Sequence, residues 1–190
     1  MKRLLRCNTG AAIIELALVI PLLLTLLLGT VEISRVVLLH MKLDKSANSL
    51  ADYVTQGTTV KTSDLLGFAN TMGQILKPYS FSGSVIFSSV ATNQGNTGPC
   101  NGANRTCVVW QNRPTGVDAS RIGGVGSIPV LPTNFTPKNG QDVIVVEVFF
   151  NYRPLLVQMP NILTSLAQQK LYKIAIVKPR QGSLTTLQPQ

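Results

Sequence analysis

The chain has 190 residues and a formal charge of +9, with one histidine and three cysteines. That length suits one domain plus a membrane segment, since domains most often run to ~100–150 residues. The charge does not make it a nucleic-acid binder: its cations fall at Lys2, Arg3 and Arg6, at Lys170, Lys173, Lys178 and Arg180, and singly between, with no basic stripe interleaved with stacking aromatics.

Residues 1–10 form a basic leader without an acid. From Ala11 to Val31 the chain is apolar, broken by Glu15, Pro21, Thr25, Gly29 and Thr30. That run meets the ~20 residues a helix needs to cross a bilayer. Lys and Arg beside a span stay cytoplasmic, so the remainder is exported. A cleavable secretory signal ends in small residues in an A-x-A pattern. Here Gly29-Thr30-Val31-Glu32-Ile33 follows, and Ser49-Leu50-Ala51 comes too late, so a signal anchor is the stronger reading. Cys7 precedes the run and reads as an unpaired leader residue.

Glu15 is the costly residue of this span. A carboxylate at mid-bilayer depth costs at least ~2.5 kcal/mol on insertion scales, which makes it a functional hypothesis. The alternative is a carboxylate hydrated at the cytoplasmic interface. Pro21 removes one backbone hydrogen bond and bends the helix.

Residues 32–56 extend the same helix. Ile33, Val36, His40, Leu43, Ala47, Leu50 and Val54 are spaced 3, 4, 3, 4, 3, 4, a heptad seam on an otherwise polar stretch. Gly57 stops it. A helix over residues 11–56 is ~70 Å long at 1.5 Å per residue. The seam meets either a partner helix or the chain's own globular part. His40, its one polar member, reads as a packed or half-exposed helix residue rather than a ligand or base.

Residues 57–181 read as an exported head. Ser63 caps a short helix with Leu65, Phe68, Met72 and Ile75 on one face, closed before Pro78. Strands are expected over residues 84–91, 107–111, 142–152 and 171–178. The third of these, DVIVVEVFFNY, is β-branched and aromatic and belongs in the middle of a sheet. Residues 113–140 are rich in Gly, Pro and Ser and read as an exposed insertion. A short helix is expected within residues 155–167, and residues 182–190 as a flexible tail. A long helix followed by about four short strands is an α+β pattern with an antiparallel sheet.

Cys100 and Cys107 bracket a polar loop with no apolar reason to hold thiols. In an oxidising compartment they close a disulfide loop worth roughly 2–3 kcal/mol, the alternative being two free thiols. Zinc is excluded because His40 lies far away and two thiolates do not complete a site. No nucleophile elbow, zincin helix or Walker loop is present. Gly123-Gly124-Val125-Gly126 runs into Pro129 and Pro132 rather than into a phosphate-binding helix. Asp142 and Glu147 point to opposite faces of their strand and do not make an acid/base pair. The chain is therefore read as a non-enzyme with no cofactor, no metal and no small-molecule substrate.

The segment GAAIIELALVIPLLLTLLLGTVEISR, with Gly10, Glu15, Pro21, Val31-Glu32 and Arg35, resembles the N-terminus of TadE/TadF-like pseudopilins of the tight-adherence (Tad) pilus, a relative of type IV pili. The stretch LDKSANSLADYVTQ over residues 43–56 resembles the family's helix extension, and Lys178-Pro179-Arg180-Gln181-Gly182 its basic, proline-containing ending. The resemblance implies a pilin-like fold and cutting by a prepilin peptidase between Gly10 and Ala11, which makes Glu15 the fifth mature residue. It also implies assembly with other pilin and pseudopilin subunits through the N-terminal helix. Leu16 stands where the family usually has an aromatic residue. Cutting would leave an ammonium on Ala11 in an apolar bundle, and a buried charge is tolerated when paired. Glu15 of a neighbour, or of the same helix one turn on, supplies the partner. Two other readings stay open: a permanently anchored surface binding module, and a pseudopilin of a type II secretion system.

Overall fold

Between Asn8 and Gln56 Pro21 alone lacks the N–H that a helix uses. The computed structural model describes residues 8–92, 105–132, 135, 137–154 and 169–189. It runs this stretch as one continuous helix, α1 (Asn8–Gln56), with Pro21 inside it. The polypeptide then forms β1 (Val60–Lys61) and α2 (Thr62–Ile75). The expected Ser63 cap is corrected here. The N-cap is Lys61, extended at φ −107° and ψ 149°, with no side-chain cap bond. The parallel pairing of β1 with β6 (Leu187–Gln188) holds Lys61 extended, so the helix starts before Ser63.

Four longer strands follow: β2 (Gly83–Thr92), β3 (Thr106–Thr115), β4 (Asp142–Tyr152) and β5 (Gln169–Val177). They form one antiparallel sheet in the order β3-β2-β4-β5, so the α+β class and the four-stranded sheet are as the sequence implies. β4 is central, as its composition requires. β3 runs further than expected, through Arg113 and Pro114. A register shift against β2, between Val85 and Phe87, absorbs this passage, and on an edge strand the missing proline N–H breaks no ladder. The short helix expected within residues 155–167 and most of the loop before β3 lie outside the described residues.

Both faces of the sheet are covered, which explains why β4 reads as a continuous apolar run rather than an alternation. One face packs on α1 and α2. Leu43, Ala47 and Leu50 of α1 and Leu65 and Met72 of α2 close on Phe87, Ile144, Val146 and Val148. The head is thus not a unit starting at residue 57: that boundary cuts through the main core, and residues 36–56 of α1 belong to it.

Residues 116–131 cover the other face. Ile122 is buried with Val90, Val108, Val143 and Val145, and Leu131 packs on the group. The expectation of an exposed insertion is therefore corrected on its inner side. It holds outside, where Val117 is 89% and Val130 72% exposed. Composition signalled the turns of this segment but not the sheet face beneath it.

The C-terminal tail is not loose. Leu184 is buried, its N–H donates to Asp142 Oδ2 at 2.6 Å, and its carbonyl accepts from Trp110 Nε1 at 2.8 Å. β6 then pairs with β1. Two leucines three residues apart, Leu184 and Leu187, are too short a pattern among polar residues to reveal this anchor.

Candidate functional site

The site is the length of α1, which changes character along its axis. Its first half is an uncovered apolar cylinder. Ile13, Ile14, Leu16, Leu18, Leu22, Leu23, Leu26 and Leu27 are all exposed, and the helix is long and apolar enough to cross a membrane. No described residue of that apolar run is buried against the rest of the chain. A surface of this size has to be covered by lipid or by other apolar helices.

Gly10 and Ala11 lie inside the first turns of α1, with Glu15 exposed on the cylinder one turn beyond Ala11. Thr25 and Thr30 donate back to Leu22 O and Leu26 O, both at 2.8 Å, so the hydroxyls within the run are satisfied by its own backbone. Among the described residues, no side-chain partner within the chain is seen for Glu15.

The heptad seam divides. Ile33 is 67% exposed, Val36 and His40 are partly covered, and Leu43, Ala47, Leu50 and Val54 are buried against the head. From Leu43 onward the seam is used within the chain. Leu39 and Ala51 are equally buried, though they fall outside the 3-4 spacing. A helix lying on a sheet buries a wider stripe than a two-helix seam does. Two ion pairs fasten the same stretch: Lys173 Nζ to Asp44 at 2.8 Å, and Arg180 to Asp52.

Where the cylinder meets the head, Tyr152 donates its hydroxyl to Glu32, and Tyr79 donates to the carbonyl of Arg35 at 3.4 Å. The Arg35 guanidinium lies 5.6 Å from the Tyr79 ring centroid. Burial, and then the Glu32 carboxylate, push the Tyr152 phenol well above its ordinary value. These contacts tie β4 and the segment after α2 to the helix within a turn of its last membrane-run residue.

The two acids of β4 do separate tasks. Asp142 faces the α1 side and holds the tail through Leu184. Glu147, completely buried on the opposite face, accepts from Ser120 Oγ, from Arg121 N at 2.9 Å and from the Tyr172 hydroxyl at 2.9 Å. Arg121 stacks over Tyr172, 4.3 Å from its centroid. Glu147 is the tether of the covering segment, a role its sequence context did not signal. Cys107 is buried at the start of β3, and Cys100 lies outside the described residues. Among the described residues, no group of three or more His, Cys, Asp or Glu side chains is placed to hold a metal.

Residues 10–52 match the family model described as TadE-like protein. No curated protein and no solved structure matches the chain. The matched stretch is the apolar cylinder together with most of its packed continuation, and it ends before the sheet. Over residues 10–52 the chain is similar to TadE-like proteins.

Proposed function

We propose that the chain is a minor pilin or pseudopilin, a membrane-anchored structural subunit that primes, tips or regulates a Tad-type pilus used in adherence. The supporting observation is the uncovered apolar cylinder carrying Glu15 inside a TadE-like segment. A subunit that remained alone in lipid would gain nothing from a carboxylate at that depth. A subunit cut after Gly10 gains a neutralising partner for the Ala11 ammonium. The pairing also fixes axial register between helices, as a single buried polar residue does in coiled coils.

In this reading the leader is cytoplasmic, the head is periplasmic, and a prepilin peptidase acts at Gly10–Ala11. The disulfide-bonded state of Cys107 supports a Cys100–Cys107 loop and an oxidising compartment. Partner helices meet the chain below Leu39, because the seam beyond it is occupied by the head.

The test is the intact mass of the protein from its native host, together with a Glu15→Val variant. The proposal expects a chain beginning at Ala11, with the variant inserted in the membrane but absent from pilus fractions. A chain that keeps Met1 throughout and is absent from pilus fractions makes the protein a permanently anchored binding module, and a Glu15→Val variant that assembles as the wild type does removes the charge pairing.

A further inference from the structure

A cavity of about 470 Å³ opens at the junction of α1 and the head, lined by Arg35, Tyr79, Ser80, Ser82, Tyr152 and Arg153 among others. Its position follows from α1. Arg35 is four residues beyond Val31, so it lies ~6 Å past the end of the apolar run. The headgroup layer of a bilayer is roughly 5–7 Å thick on each side, so the cavity stands at headgroup depth.

Its chemistry is cationic and rich in donors. Among the described residues neither Arg35 nor Arg153 forms an ion pair. Glu32 faces the same corner, but its carboxylate is engaged by the Tyr152 hydroxyl. Stacking on Tyr79 holds Arg35 against the wall, and exposed Ser80 and Ser82 add hydroxyls. Two guanidiniums beside one engaged carboxylate leave a net positive site. Guanidinium forks match phosphate oxygens bidentately.

We propose that this cavity binds the phosphate of an anionic lipid headgroup, anchoring the base of the head to the membrane surface. The proposal rests on the membrane-anchor reading of α1 but not on pilus assembly. The full chain in detergent is titrated with phosphatidylglycerol, with phosphatidylcholine and inorganic phosphate as parallel arms, and bound species are read by native mass spectrometry. Phosphatidylglycerol is retained by the wild type, and each arginine removed weakens retention about tenfold or more, the scale of one lost charged hydrogen bond. The double variant Arg35→Gln/Arg153→Gln therefore loses it, while Arg35→Lys/Arg153→Lys keeps part of it. The lysine pair carries the comparison if the glutamine pair misfolds by circular dichroism. Equal retention of the two lipids, or equal retention by wild type and double variant, overturns the proposal. Displacement of the lipid by inorganic phosphate overturns the lipid assignment in favour of a free anion. Carbonate extraction of the variants from membranes tests the anchor separately, and they stay membrane-bound if α1 spans the bilayer.

Discussion

Glu147 shows how much one buried side chain holds. Its carboxylate satisfies a serine hydroxyl, a backbone N–H and a tyrosine hydroxyl at the centre of the sheet's second face. Glu147→Leu leaves those part-buried donors without their acceptor, at up to about 1–3 kcal/mol for each group left unsatisfied. Its thermal midpoint should fall well below that of the wild type, and the segment over residues 116–131 should become the first site of limited proteolysis. Glu147→Gln keeps one acceptor oxygen and should fall in between. The titrating neighbours set the pH limits. Burial, and then Glu147, raise the Tyr172 phenol above its ordinary 10.0. A raised tyrosine contributes stability that is complete below pH 10 and is lost as the unfolded chain ionises above it. Unfolding midpoints should decline above about pH 10, and Tyr172→Phe should flatten that decline. Asp118 is lowered from 3.8, first by its hydrogen bond from Lys170 and then by that from Ser84. Its contribution is present above the ordinary carboxylate value and disappears as pH falls through and below it. At this scale the sequence was legible where strand alternation sets direction, as it puts Asp142 and Glu147 on opposite faces of β4. It was silent where a polar residue is satisfied by partners distant in sequence, as Glu147 is.

Among the elements, α1 is the clearest product of pattern. The apolar run and the 3-4 spacing gave its course, and Gly57 gave its end. The same spacing could not say what the seam touches, because a sheet and a helix both accept an apolar stripe. The distinction has a measurable consequence. Leu50→Ala removes a fully buried side chain from the main core and should cost about 2–5 kcal/mol, read by thermal unfolding in detergent. Leu38→Ala, on the exposed side of the same helix, should leave the midpoint nearly unchanged. Gly83 offers a second check. A Cβ there would stand 1.9 Å from the carbonyl oxygen of Phe149, a backbone atom that cannot step aside. Gly83→Ala should therefore destabilise the β2–β4 pairing, whereas Gly67→Ala should stabilise α2, since nothing lies within 4 Å of a Cβ at Gly67 and alanine is the better helix former. The β1–β6 pair escaped sequence reading because two-residue strands carry no period. The docked tail escaped it because two leucines among polar residues are too few to set an amphipathic pattern.

Across the whole molecule, the span and the head share a single helix, and the head's core is incomplete without that helix. A soluble fragment beginning near residue 36 retains the buried α1 residues and should give a monomeric, cooperatively folded protein. One beginning at residue 57 strips Phe87, Ile144, Val146 and Val148 of their cover and should aggregate, as size-exclusion chromatography would show. Composition was enough to separate the apolar, uncovered half of α1 from the folded part. It could not place the true border of the folded part, because the helix crosses from one environment to the other without a break. From the residue after Pro21 to Gln56, α1 has no loop or swivel, and Tyr152, Lys173 and Arg180 clamp the head to its outer portion. Turning the buried end about its own axis therefore swings the entire globular portion through the same angle, like a key and its bow. Whichever neighbours grip the lower shaft thereby choose the compass bearing of every surface above the bilayer.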